Sequence, residues 1–337
     1  MITPRTWNLT QRRKDASWES FMITIEQDQD QHTRSTSKML AYAQLLRLPN
    51  VFTAMADVAM GFIFVRDVGD FGHRDLVELA LLIAASSSLY LAGMVLNDCY
   101  DYESDKKERP QRPLPSGRIG RKTAARLGWG LLACGPILAV AAAFSIGSTR
   151  PLSVAVALAV CVVLYDGPLK NTLLGPLAMG VCRMLNVLLG MSAAGIDWGT
   201  ENWLVAAAVG VYIAGVTFFA RTESERSDRG RLLIGITVMM LGVAMLAQLP
   251  NYIWLTMTPS RWQMFMALMG VLIAWQSLRA VFNPESRCVQ IAVKQAIFSL
   301  VMLDAAVVLG VAGAAPALAV LALLIPTVVL GRWVYST

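Results

Sequence analysis

The chain has 337 residues, of which 55% are hydrophobic and only 15% charged, whereas a soluble domain carries roughly 25% charged residues. That balance excludes an ordinary soluble domain, and the net charge of +6 reads as membrane topology rather than nucleic-acid binding. His32 and His73 are the two histidines, which argues against His-ligated haem, di-iron chemistry and Ser-His-Asp hydrolysis; no P-loop pattern occurs to drive ATP-powered transport.

The first 38 residues are polar and contain no apolar signal core. They are expected to form a disordered cytoplasmic tail, with Met22 and Met39 as alternative starts, ahead of a single transmembrane domain over 39–337. From residue 40 onward apolar stretches recur, most of them about 17 to 25 residues long, near the length of a membrane-spanning helix. Spans are predicted at 40–65, 77–97, 123–146, 151–166, 172–194, 203–220, 231–249, 263–282, 289–312 and 317–331. The fourth and tenth are short, and only Gly313-Ala314-Ala315-Pro316 separates the last two, so nine or ten spans are expected. No alternating pattern suggests a barrel. The fold class is all-α: a polytopic helical membrane protein.

Lys and Arg set the orientation. With the N-terminus inside, 24 of the 29 fall in inside segments, four (Arg66, Arg74, Arg150, Arg261) fall outside, and Arg183 lies within a span. This bias places the 98–122 and 221–230 loops on the cytoplasmic face. The five cysteines (Cys99, Cys134, Cys161, Cys182, Cys288) show no metal-ligand spacing and read as packing residues.

The segment Leu79–Leu96 is apolar enough to cross a bilayer, and it opens into Asn97-Asp98-Cys99-Tyr100-Asp101-Tyr102-Glu103-Ser104-Asp105. On an ideal helix Asp98, Asp101 and Asp105 fall within an arc of about 60°, and Asn97 widens it to about 100°. Three carboxylates on one stripe repel unless something positive sits among them. Hard oxygen donors of this kind suit Mg²⁺, which takes one or two carboxylates and completes its shell with water and phosphate. The plain alternative is a solvated acidic loop. Lys106, Lys107, Arg109, Arg112, Arg118, Arg121 and Lys122 follow at once. Acids for a divalent metal followed by a belt of cations is a layout that holds a diphosphate, and the same cations serve the positive-inside bias.

After the fourth span, Tyr165-Asp166-Gly167-Pro168-Leu169-Lys170-Asn171 puts Lys170 in a short inside loop, within reach of that phosphate group or simply capping a helix end. Inside the fifth span, Arg183 and Asn186 share a helix face. A membrane-buried arginine needs a polar cavity or a partner. It would orient a phosphate or polar acceptor, or form a buried salt bridge with Asp57 or Asp304. After the sixth span, Arg221-Thr222-Glu223-Ser224-Glu225-Arg226-Ser227-Asp228-Arg229 places Glu225 and Asp228 on one helical face, as a second metal pair or as locally paired charges.

The run Asn97-Asp98-x-x-Asp101-x-x-x-Asp105 with Arg109-Pro110-x-Arg112-Pro113-Leu114-Pro115-Ser116-Gly117 resembles the first aspartate-rich motif of the UbiA superfamily of intramembrane prenyltransferases. The resemblance extends to Arg47-Leu48-Pro49-Asn50 and Tyr165-x-x-Pro168-x-Lys170, over roughly residues 40–312. The first motif and Met179–Asn186 look most like the EboC-like branch, associated with bacterial secondary metabolites. The resemblance implies nine helices around a cavity in the bacterial inner membrane, and transfer of an isoprenyl group from a diphosphate donor to a small aromatic or polar acceptor. It implies Mg²⁺ held by Asp98, Asp101 and Asp105, with Glu225 and Asp228 in the place of the usual second aspartate-rich motif. Catalytic roles are expected of Asp98, Asp101, Lys170 and Arg183, and substrate contacts of Arg47, Asn50, Asn97, Arg109, Arg112, Tyr165 and Asn186. The second motif departs from the family's pattern. Glutamates there would bind metal with longer arms, Arg221 or Arg226 would replace the metal at phosphate, or the chain would bind a prenyl lipid without transferring it.

Overall fold

The structure is a computed structural model that describes residues 38–195, 197–221 and 228–335. Among these residues all regular structure is helical. A short helix α1 over 38–45 leads into α2 (Leu48–Val65), α3 (His73–Tyr100), α4 (Tyr102–Glu108), α5 (Arg121–Ile146) and α6 (Arg150–Leu164). A π-helical turn, Tyr165–Leu169, joins α6 to α7 (Gly175–Met191). Then come α8 (Thr200–Ala220), α9 (Arg229–Ala247), α10 (Pro259–Phe282), α11 (Ser286–Ala312), α12 (Ala314–Leu321) and α13 (Leu324–Tyr335).

Nine segments among the described residues are long and apolar enough to span a bilayer, and α7, at 17 residues, is a shorter tenth. The protein is an integral, multi-pass membrane protein. The predicted spans correspond one to one with these segments, and the differences have local causes. The fourth span gains length because the π turn extends it to Leu169. The fifth shrinks because α7 starts at Gly175, with Pro176 in its first turn, and the chain turns at Ser192. The tenth is two helices broken at Ala322-Leu323. Its end returns to the starting face of the bundle, where the Gln44 side chain donates to the Val334 carbonyl at 3.2 Å.

Lipid tails are as apolar as leucine, so helices in a bilayer are held by close backbone approach and by polar contacts. Helices α2 and α7 use both. A Cβ on Gly61 would lie 2.4 Å from the Val187 carbonyl oxygen, and one on Gly190 would lie 2.2 Å from that of Val58. Only glycine allows this approach, and it brings the α7 side chains Arg183 and Asn186 against Thr53, Ala54 and Asp57 of α2.

The two ends of the bundle differ. At one end Arg66 pairs with Glu78 at 2.8 Å and with Asp75 at 3.5 Å, Arg74 pairs with Glu78 at 3.1 Å, and Arg150 pairs with Asp197. These are three of the four arginines that lie outside in the predicted orientation. The opposite end gathers the start of α2, the end of α3, α4, the π turn and the end of α8. It is where the acid motif sits.

Candidate active site

The acid stripe forms as the helical period requires, with one adjustment. Helix α3 stops at Tyr100 and Asp101 is its C-cap, at φ −80° and ψ 2°. The hydrogen bonds nevertheless continue in helical spacing, from Asp101 N–H to Asn97 O at 2.9 Å and from Asp105 N–H to Asp101 O at 2.8 Å. Asp98, Asp101 and Asp105 therefore stay on a common side although they belong to three local elements.

The positive charge demanded by this stripe is supplied by the protein itself. Arg47 Nη2 lies 3.1 Å from Asp98 Oδ1, and Arg112 Nη1 lies 2.7 Å from Asp105 Oδ2 and 3.6 Å from Asp98 Oδ1. Lys170 forms an ion pair with Asp101 and donates to Asn97 Oδ1 at 2.6 Å. Asp98 and Asp105 are buried, while the three cations stay 22–30% exposed. Arg47 adopts the left-handed conformation at φ 46° and ψ 45°, the one non-glycine residue among those described with positive φ. Such backbone costs about 1–3 kcal/mol and persists where the surroundings enforce it; here it directs the side chain that reaches Asp98. The π turn holds Lys170 through its N–H bond to the Tyr165 carbonyl at 2.9 Å. Pro168 sits in the turn, and turns of this kind recur at functional sites.

Behind this mouth lies a cavity of about 230 Å³. Arg47, Asn50, Tyr165 and Asp166 line it, with Leu89, Met94, Leu158, Val162, Ile213 and Val216 among its apolar walls. Ser86, Tyr90, Arg183 and Asn186 also line it and belong to a second, buried polar cluster. Arg183 Nη1 contacts Asp57 Oδ2 at 2.7 Å, its Nη2 donates to Thr53 Oγ1 at 2.9 Å, and its guanidinium lies 5.6 Å from the Tyr90 ring centre. Asn186 Nδ2 donates to Asp57 Oδ2 and to the Ala54 carbonyl, both at 2.9 Å, and its Oδ1 accepts from Ser86 at 2.6 Å. Asp304, wholly buried on α11, is an electrostatic neighbour of Asp57 and Arg183. The salt bridge weighed for Arg183 therefore exists, with Asp57 as the partner, and it forms part of the cavity wall.

The remaining expected residues are placed differently. Arg109 is half-buried in the turn after α4, and its carbonyl accepts from Arg112 N–H at 3.1 Å. Asp228 is exposed and caps α9, accepting from Gly230 N–H at 2.9 Å. Glu223, Glu225 and Arg226 lie outside the described residues. Arg221 donates to the Thr172 carbonyl, tying the end of α8 to the loop before α7. Sequence reasoning did not single out Asp166, Ser86, Thr53 or Tyr90; each looks unremarkable in the chain until helix packing brings it to the cavity.

Among the described residues no three acids, histidines or cysteines converge on a point where they would hold a metal; Arg112 bridges Asp98 and Asp105, and Arg47 and Lys170 pair with Asp98 and Asp101. Mg²⁺ takes few protein carboxylates and leaves positions for substrate phosphate. The oxygen donors of Asp98, Asp101, Asp105 and Asn97 fit that requirement.

Fold and site together define a helical membrane protein whose apolar cavity opens onto a network of alternating acids and cations. The chain belongs to the UbiA prenyltransferase family, whose profile matches residues 58–287. It is similar to the digeranylgeranylglyceryl phosphate synthase of Ignicoccus hospitalis, at 32% identity over 50% of this chain and 51% of the relative. The synthase of Saccharolobus solfataricus is similar at 30% identity over 49% of this chain and 54% of the relative. The chain thus spans about half the length of these curated relatives. They do not bear out the narrower expectation of an EboC-like branch. A UbiA homologue from Archaeoglobus fulgidus bound to GPP and Mg²⁺ shares the fold, with a TM-score of 0.60 over 84% of this chain and 99% of that one, at 14% identity.

Proposed function

We propose that the protein transfers an isoprenyl group from an isoprenyl diphosphate to a small polar or aromatic acceptor within the membrane, with Mg²⁺ as cofactor. The observation that carries this reading is the mouth of the cavity, where three partly exposed cations are shared with three acids and one of them, Arg47, also lines the apolar cavity. Arg47, Arg112 and Lys170 bind the donor's diphosphate, exchanging their present carboxylate partners for phosphate oxygens; Asn50 on the cavity wall and Arg109 in the turn after α4 would assist. Asp98, Asp101 and Asp105 would hold Mg²⁺, with Asn97 beside them. Bound there, the metal supplies charge neutralisation at the diphosphate oxygens. The cations stabilise the charge that develops on diphosphate as the allylic C1–O bond breaks. The apolar walls hold the isoprenyl tail and keep water from the cation left behind. Tyr165, Arg183 and Asn186 line the space left for the acceptor.

The names of the relatives support a glyceryl phosphate lipid as acceptor. Kinship with the EboC-like branch rests on the first motif and Met179–Asn186, and would make the acceptor a secondary metabolite. The Lys and Arg distribution supports a cytoplasmic-membrane location with the N-terminus and the site on the cytoplasmic side.

The pairing of every first-motif aspartate with a protein cation also favours a second reading, a prenyl-lipid binding protein without turnover. Radiolabelled geranylgeranyl diphosphate with Mg²⁺ separates the two. The transferase reading expects diphosphate release that Asp98→Asn and Asp101→Asn each lower about 10²–10³-fold; binding without release sinks it.

A further inference from the structure

Asp166 belongs to neither polar cluster. It is 5% exposed, lies in the π turn four residues before Lys170, and lines the cavity. Its Oδ2 is buried and has no hydrogen-bond partner among the described residues. Leaving a buried carboxyl oxygen without a donor costs free energy that folded proteins seldom tolerate, so such groups call for a functional account. Helix α3 leaves room beside it. Gly93 also lines the cavity, and a Cβ there would stand 3.8 Å from Asp166 Oδ2 and 3.2 Å from Val162 Cγ1. The charged groups acting on Asp166 are Lys170 on its own turn, Arg47 ahead of α2, and Asp98 and Asp101 at the end of α3. These are the groups assigned above to the diphosphate end of the donor. Asp166 sits in the turn that holds Lys170 and shares the cavity wall with Arg47, so a ligand at its carboxyl lies toward the diphosphate end of the donor, where the acceptor attacks.

We infer that Asp166 receives the nucleophilic hydroxyl of the acceptor, which makes the acceptor an alcohol rather than an aromatic carbon, and that it is a catalytic residue. The inference rests on the transferase reading and deepens it. The acceptor O–H donates to the carboxylate as its oxygen forms a bond to C1 of the isoprenyl group. The C1–O bond to diphosphate breaks, its electron pair leaving with the diphosphate. The hydroxyl proton passes to Asp166 and from there to the departing diphosphate. An aromatic acceptor attacks through a ring carbon, which has no hydrogen to donate, so a carboxyl beside C1 would have no donor on the attacking atom.

The test uses the full chain in detergent, with geranylgeranylglyceryl phosphate as the alcohol probe and its O-methyl ether as the control lacking the donor. Wild-type protein is expected to bind the alcohol at least about tenfold more tightly than the ether, the scale of a hydrogen bond to a charged group. Asp166→Asn is expected to lose that preference and to form ether product about 10²–10⁴-fold more slowly, the span typical of general-base contributions. Its affinity for geranylgeranyl diphosphate with Mg²⁺ and its melting temperature are expected to stay at wild-type values. Wild-type protein that binds alcohol and ether alike overturns the inference without reference to any variant. So does Asp166→Asn that transfers at the wild-type rate, or that loses donor affinity in proportion to rate, because the carboxylate then serves the diphosphate end. Wild-type protein that prefers the alcohol yet releases no diphosphate overturns the transferase reading instead and leaves Asp166 as the hydroxyl anchor.

Discussion

The two polar clusters of this bundle use the same chemistry, aspartate against arginine or lysine, toward different ends. At the mouth, Arg47, Arg112 and Lys170 come from chain outside the long helices, remain partly exposed, and meet acids at the end of α3 and in α4. In mid-bundle, Arg183 meets Asp57 on helices locked together by Gly61 and Gly190, and Thr53, Asn186, Ser86 and the Ala54 carbonyl complete the hydrogen bonds. The first cluster can change partners, since its cations reach solvent and a bound Mg²⁺ would take their place at the buried acids. The second cannot, since separating a buried pair leaves a charge stranded in low dielectric. Position along the helix, more than residue type, decides which cluster binds substrate and which holds the wall.

That contrast can be broken by substitution. Asp57→Ala strands Arg183 and is expected to cost about 3–5 kcal/mol of stability, read as a large fall in melting temperature in detergent; an unchanged melting temperature would show that the mid-bundle pair is not structural. Asp101→Asn, at the mouth, is expected to leave melting within a few degrees while lowering diphosphate release about 10²–10³-fold, the scale of removing one electrostatic stabiliser. Arg112→Ala removes one of several cations and is expected to raise the donor KM about tenfold, the worth of one charged hydrogen bond, with a smaller effect on kcat. Asp228→Ala, on the exposed cap of α9, is expected to cost about 1 kcal/mol and little activity. A larger activity loss there would show that the α8–α9 loop contributes to the metal site.

The membrane fold was legible because hydrophobic runs of spanning length and the Lys and Arg asymmetry are local properties of the chain. All ten predicted stretches reappear as helical segments, including the C-terminal one, whose break at Ala322-Leu323 falls at the carbonyl that Pro326, four residues on, cannot bond. The acid stripe was legible through the helical period, and its need for positive neighbours was correctly read. Their identity was not. Arg47 is 51 residues from Asp98 and Lys170 is 69 from Asp101, and no local pattern encodes a pairing across separate helices. The choice of Asp57 over Asp304 for Arg183 was hidden for the same reason. Asp166 escaped notice because its lack of a partner appears only when the neighbouring helices are in place.

The central claim is that the cations of the mouth leave their aspartates to take up a diphosphate. A structure determined with Mg²⁺ and a non-reactive thiolo analogue of geranylgeranyl diphosphate tests it most directly. The account predicts diphosphate oxygens within hydrogen-bond reach of Lys170 and Arg47, and the tail between Leu89, Val162 and Ile213. Ligand bound elsewhere, with the Arg47–Asp98 and Lys170–Asp101 pairs intact, would contradict it.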